Sequence, residues 1–108
     1  MHKATIWIDG AARGNPGPAA IGVFITDGDG KELETASETI GIATNNEAEY
    51  RALVRGLELA AKHHATEIEV RTDSELLAQQ INREYKVRAS SLKWLFAEAQ
   101  RAMAPFHA

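Results

Sequence analysis

The 108-residue sequence contains no cysteine, which excludes disulfides and thiolate metal sites and removes any support for secretion. It also lacks a long apolar run; nothing approaches the ~18 residues that a membrane span needs. Its first residues, MHKATIWIDG, have neither the long apolar stretch nor the small-residue cleavage site of a signal peptide. Together these absences point to a cytoplasmic protein. A positive balance is missing too, since the net charge is −3. Capture of a polyanion by bulk attraction is therefore disfavoured. The charge is unevenly spread, however. Residues from Arg83 onward carry five Lys or Arg against two acids, and the first 82 carry seven against thirteen. A basic segment (Arg83, Lys86, Arg88, Lys93) thus follows an acidic body, either as a solvated connector or as a weak grip on a substrate. There is no internal repeat and no low-complexity tract. The length allows a single domain, 1–108, with one core.

What is present is patterned. ATIWI (4–8) reads as a strand ending at Asp9-Gly10, and GNPGP (14–18) reads as a loop. IGVFIT (21–26) alternates as a second strand, DGDG (27–30) is a hairpin turn, and KELETASETI (31–40) is the return strand. At Thr44 the period changes. Thr44 and Glu47 form a capping-box pattern, and Tyr50, Leu53, Val54, Leu57, Ala60 and Ala61 follow at helical spacing to about His63. IEVRT (68–72) reads as a short strand and SELLAQQI (74–81) as a short helix. Leu92, Leu95, Phe96, Ala99 and Met103 stripe a last helix, capped by Ser90 or Ser91 and stopped by Pro105. The crossover through the first helix should be right-handed and lay strand 68–72 parallel to the first strand. The expected fold is α/β: a mixed sheet, three antiparallel strands plus one parallel, with helices packed against it.

Three acids hold privileged places in this scheme. Asp9 ends the first strand, Asp73 ends the strand after the helix, and the helix offers Glu47 or Glu49 in its early turns. With the two strands parallel neighbours, both aspartates emerge at one sheet edge, where open α/β sheets place their sites. Carboxylates so grouped cannot all ionise without compensation. A hard divalent cation such as Mg²⁺ or Mn²⁺ supplies it through oxygen ligands. Periodicity alone does not choose between Glu47 and Glu49, which flank the apolar stripe on opposite sides. The capping box gives Glu47 a structural task, so Glu49 is the better ligand candidate. Asp27 and Asp29 are turn residues, and His2, His63, His64 and His107 lack ligand spacing and read as surface. GNPGP joins strand to strand and has no Lys-Ser/Thr, so it is a poor phosphate loop. Trp94 lies off the apolar stripe and suits packing against a partner.

IDGAARGNPGP, TNNEAEYRAL and RTDSELLAQQI, in that order and at these spacings, resemble the type 1 ribonuclease H family over about residues 4–100. The connector NREYKVRASSLKWL resembles members without the long basic protrusion. The resemblance implies a ribonuclease H-like fold and endonucleolytic cleavage of the RNA strand of an RNA–DNA hybrid with Mg²⁺ or Mn²⁺. It implies that Asp9, Glu49 and Asp73 are catalytic metal ligands. Asn15 and Thr44 match positions that contact the DNA strand's phosphate, and Asn45 and Asn46 match residues that probe the hybrid's minor groove. The family pattern goes on to a fifth strand, a loop bearing a histidine, and a last helix supplying a fourth carboxylate, none of which follows in these residues. Reduced activity is the corresponding expectation, with a non-catalytic RNA–DNA hybrid-binding or interaction module as the alternative. Strand 68–72 would then be an edge, and a homodimer covering it is expected.

Overall fold

Alternation along the first two strands builds the sheet. The computed structural model describes residues 3–82 and 90–106. Strands β1 (Lys3–Ala12), β2 (Gly17–Asp27) and β3 (Glu32–Ala43) form an antiparallel meander, and β4 (Glu67–Arg71) pairs parallel to β1. The sheet order is β3-β2-β1-β4. Ala4, Ile6 and Ile8 of β1, with Ile21, Val23 and Ile25 of β2, are buried at every second position, which makes one sheet face apolar. Helix α1 (Asn45–Lys62) covers that face. Its buried Leu53 and Leu57 meet the strand residues in one core cluster. Each such side chain contributes about 2–3 kcal/mol by burial. Helices α2 (Glu75–Ile81) and α3 (Ser90–Met103) complete the helical layer, with Leu77, Leu92, Leu95 and Ala99 buried in the same cluster. The opposite sheet face carries Trp7 against Phe24, ring centroids 5.4 Å apart, with the Arg71 guanidinium 5.6 Å from the Trp7 ring centre.

The α/β mixed sheet is the expected one, but the first two strands run further than the reading of 4–8 and 21–26. The β1–β2 ladder continues through Gly10↔Ile21, Ala11↔Ala20 and Ala12↔Ala19. Alanines on both strands give too faint an apolar alternation to register as strand. Asp9 therefore lies inside β1, not at its end. Only residues 14–16 of GNPGP are loop; Gly17 and Pro18 belong to β2. β3 also extends to Ala43, past a register shift where Ala19 pairs Gly41 and Ala20 pairs Thr39. Gly41 has φ +79°, the left-handed backbone that lets a bulge take up the extra residue.

The capping box is present: Thr44 Oγ1 accepts the Glu47 N–H at 3.1 Å, and Glu47 Oε1 accepts the Thr44 N–H at 2.7 Å. At the other end, His63 is not a bare surface residue. Its ring pairs with Glu34 of β3 at 2.7 Å, and Lys62 reaches the same carboxylate at 3.2 Å. These hydrogen bonds, His63 first, hold the Glu34 carboxyl below the usual range. His64 is exposed. α2 is capped by Ser74, whose hydroxyl accepts the Leu77 N–H at 3.2 Å. α3 starts at Ser90 among the described residues. Trp94 is 60% exposed on α3. His2, His107, Arg83, Lys86 and Arg88 lie outside the described residues.

Two glycines set how closely α1 lies on the sheet. A Cβ on Gly56 would stand 2.7 Å from Ile6 Cγ2 and 3.4 Å from Ile8 Cγ2. Ile6 is fully buried and has no room to retreat. Alanine in a helix interior gains about 1 kcal/mol over glycine, while overpacking costs about 1–3 kcal/mol. Gly56→Ala is therefore expected to lower stability by up to about 2 kcal/mol, read as a fall in the denaturation midpoint; a raised midpoint would show that the contact has slack.

Candidate active site

The second glycine is at the site itself. A Cβ on Gly10 would collide with the Ala48 carbonyl and stand 2.7 Å from the Glu49 nitrogen. Lacking one, β1 passes directly against the first turns of α1. The Gly10 N–H then donates to Glu49 Oε1 at 2.7 Å. Gly10 thus acts here through close approach within a strand, where the Asp-Gly pair alone suggests a turn.

The parallel register brings the two aspartates level. β1 and β4 pair residue by residue from Lys3↔Glu67 to Trp7↔Arg71. Asp9 and Asp73 each stand two residues beyond the last pair, and both are exposed. Glu49 comes between them from α1. Its second oxygen, Oε2, accepts the Thr72 hydroxyl at 3.1 Å. Thr72 Oγ1 in turn accepts the Ser74 N–H at 3.0 Å. The chain neighbour of each aspartate, Gly10 for Asp9 and Thr72 for Asp73, therefore holds one oxygen of Glu49.

Partial burial pushes the Glu49 carboxyl above the usual range, and the negative charges of Asp9 and Asp73 push the same way; the Gly10 and Thr72 hydrogen bonds pull against them. The group is therefore an acid held in place against its own repulsion. Among the described residues, no three His, Asp or Glu side chains stand close enough to cage an ion unaided. A cleft of about 240 Å³ opens beside Asp73, lined by Trp7, Ile8, Arg71 and Thr72.

A second cluster surrounds the N-terminus of α1. Asn45 Oδ1 accepts the Ala12 N–H at 2.8 Å, and Asn15 Oδ1 accepts the Asn45 N–H at 2.9 Å. Both amides have their carbonyl ends tied to backbone, which leaves their NH₂ groups as donors on an exposed surface. Thr44 spends its oxygen on the Glu47 N–H and keeps its hydroxyl proton to donate. Asn46 is exposed in the first turn. All seven residues singled out from the sequence are thus placed around β1, the 13–16 loop and the start of α1, with Asp73 just past β4. Glu47 is occupied by the capping box and Glu49 faces the aspartates. Gly10 and Thr72 were not singled out from the sequence, because a glycine's close approach and a threonine's hydrogen bond to a distant helix leave no periodic signal.

A family profile described as reverse transcriptase-like matches residues 8–108. Ribonuclease HI of Halobacterium salinarum is 51% identical over 75 residues, which is 69% of this chain and 38% of that protein. The N-terminal RNase H domain of Rv2228c from Mycobacterium tuberculosis, solved as a fusion with maltose binding protein, superposes with a TM-score of 0.95 at 41% identity, covering 98% of this chain and 77% of that one. LC11-RNase H1, solved in complex with an RNA/DNA hybrid, superposes with a TM-score of 0.88 at 46% identity over 94% of this chain and 76% of that one. The chain spans well under two thirds of the Halobacterium relative's length.

The raised Glu49 pKa has a sign that can be checked. The folded state holds this proton more tightly than the unfolded state, so stability is fullest below the ordinary value of 4.5 and falls as pH rises through the folded value. At neutral pH the ionised Glu49 therefore costs stability in chelator-treated protein. Glu49→Gln, which is never charged, is expected to melt above the parent at pH 7, with the difference closing as pH falls through the folded value to 4.5. Thermal melts across that range check it, and a Gln variant that melts lower at pH 7 would contradict the assignment.

Proposed function

Because the chain belongs to the ribonuclease H family, we propose that it hydrolyses the RNA strand of RNA–DNA hybrids as a divalent-metal endonuclease. The observation that carries the reading is Glu49 held beside Asp9 and Asp73 by the chain neighbour of each, the Gly10 N–H of β1 and the Thr72 hydroxyl just past β4. Asp9, Glu49 and Asp73 are the proposed ligands. Their donors are all carboxylate oxygens, the set that Mg²⁺ and Mn²⁺ prefer. When bound, such ions activate water and stabilise the leaving oxygen in phosphoryl transfer. The charge strain at Glu49 fits a site that gains by receiving a cation, since a cation removes the repulsion that its neighbours impose.

Substrate selection follows from the second cluster. An A-form minor groove displays 2′-hydroxyls, which short amide side chains can read. Asn45 and Asn46 are proposed to do so from the first turn of α1. Asn15 and Thr44 are proposed to donate to a backbone phosphate of the DNA strand, where the helix N-terminus adds its favourable field. Support for a hybrid as the substrate comes from LC11-RNase H1, whose structure holds one. The same proposal places the protein in the cytoplasm.

The test is cleavage of an end-labelled RNA–DNA hybrid with Mg²⁺ and with Mn²⁺. Asp9→Asn is expected to lower the rate by about 100-fold or more. Cleavage that survives this change undiminished would overturn the metal assignment. Tight hybrid binding with no turnover in either metal would favour a binding module. The same assay gives the rate sustained with these three carboxylates.

A homodimer is part of the proposal as well. β4 is the outermost strand on its side of the sheet, and an apolar cleft of about 200 Å³ lined by Leu53, Val70, Leu77, Ile81 and Met103 lies close by. An uncovered strand edge beside apolar surface favours association. Sedimentation at micromolar concentration is expected to show a dimer, and a monomer alone would refute it.

A further inference from the structure

We infer that Thr72 is a positioning residue for the proposed site: its hydroxyl, oriented by the Ser74 N–H, fixes the Glu49 carboxylate for divalent-cation binding alongside Asp9 and Asp73. The inference rests on the metal-site reading above and extends it to a residue that does not itself bind the ion.

The hydrogen-bond inventory carries the argument. A threonine hydroxyl has one proton and two lone pairs. The Ser74 N–H occupies one lone pair of Thr72 Oγ1 at 3.0 Å. The Glu49 carboxylate, which can only accept, lies at 3.1 Å and takes the proton. The hydroxyl is thus committed in direction.

Glu49 needs two such holds. Its side chain reaches from α1 on several rotatable bonds, and one bond, from the Gly10 N–H to Oε1, leaves the carboxylate free to swing about it. The Thr72 bond to Oε2 removes that freedom. Gly10 can give its bond without moving, since its backbone is pressed on that of Ala48. Thr72 is equally confined, between the end of β4 and the Ser74 cap of α2. One donor therefore comes from β1 beside Asp9, and the other from the residue that links β4 to Asp73. Ligand-orienting partners of this kind set metal affinity, and their loss typically weakens it 10–100-fold.

A rival role for the hydroxyl is purely structural: through Ser74 it helps to start α2. Three chains separate the two roles, namely the parent, Thr72→Val, which keeps the shape and loses the hydroxyl, and Thr72→Ser, which keeps the hydroxyl. Each is titrated calorimetrically with Mn²⁺ in the absence of substrate, melted, and assayed for hybrid cleavage across Mg²⁺ concentrations. Thr72→Val is expected to bind Mn²⁺ about 10-fold more weakly or worse. The Mg²⁺ concentration for half-maximal cleavage should rise in parallel, with KM for the hybrid unchanged. Thr72→Ser is expected to bind Mn²⁺ within about 3-fold of the parent, well inside the range of a lost ligand-orienting contact.

Equal Mn²⁺ affinity in the parent and Thr72→Val would overturn the inference. So would a Thr72→Ser variant as weak as the valine. Should Thr72→Val not fold, Thr72→Ala takes its place. Failure of both to fold, while Thr72→Ser folds, assigns the hydroxyl to the start of α2 and also overturns the inference. A parent that binds no Mn²⁺ refutes the inference together with the metal site. A parent that binds Mn²⁺ without cleaving refutes the proposed activity alone, and the clamp is then judged on the calorimetry.

Discussion

The whole site depends on how closely one helix can lie on one strand. α1 meets β1 at Gly10 and again at Gly56, and at both places a single methyl group would intrude on its neighbours. The first contact brings a backbone N–H within hydrogen-bond range of Glu49. The second lets Ile6 and Ile8 press against the helix from below. Core packing and carboxylate placement are therefore one geometrical fact. The apolar face of the sheet supplies the attraction, and the two glycines set the distance at which it acts.

That closeness creates an electrostatic difficulty which the backbone partly relieves. Glu49 is drawn toward two aspartates and out of water, and both effects oppose its ionisation. A strand amide and a threonine hydroxyl oppose them in turn. The start of α1 is organised on the same plan. Thr44, Asn45 and Asn15 spend their acceptors on backbone N–H groups, so that what remains on the surface is a set of donors. Glu49 of the acidic cluster and Asn45 of the donor-rich rim thus stand about one turn apart on a single helix, each already half satisfied from within.

Much of this was legible in the sequence. The alternation of residues 21–26, the DGDG turn and the switch to helical spacing at Thr44 named the meander and α1 correctly, because each is a local pattern with its own physical cause. The parallel placement of β4 followed from its helical crossover, the connection that parallel strands require. The extensions of β1, β2 and β3 were not legible. Alanines at 11, 12, 19 and 20 are apolar too weakly to mark a face, and the strand shape there comes from pairing across the ladder. Nor was the His63–Glu34 pair, which joins residues far apart in the chain. At the site, spacing left Glu47 and Glu49 level, and only the capping box separated them. Thr72 and Gly10 stayed hidden because their parts are tertiary: each is defined by what the fold brings to it.

The two glycine contacts also bear on motion. Two points fix a line, so α1 cannot slide along β1 or pivot on it without forcing backbone against backbone at Gly10 or methyl against backbone at Gly56. Such a joint has no soft intermediate displacement and opens, when it opens, as a unit with the central strands. The loop of residues 13–16 is braced in the same way, since a Cβ on Gly17 would stand 1.6 Å from the Arg13 carbonyl oxygen and Asn15 accepts the Asn45 N–H, so rim and acidic cluster share one frame.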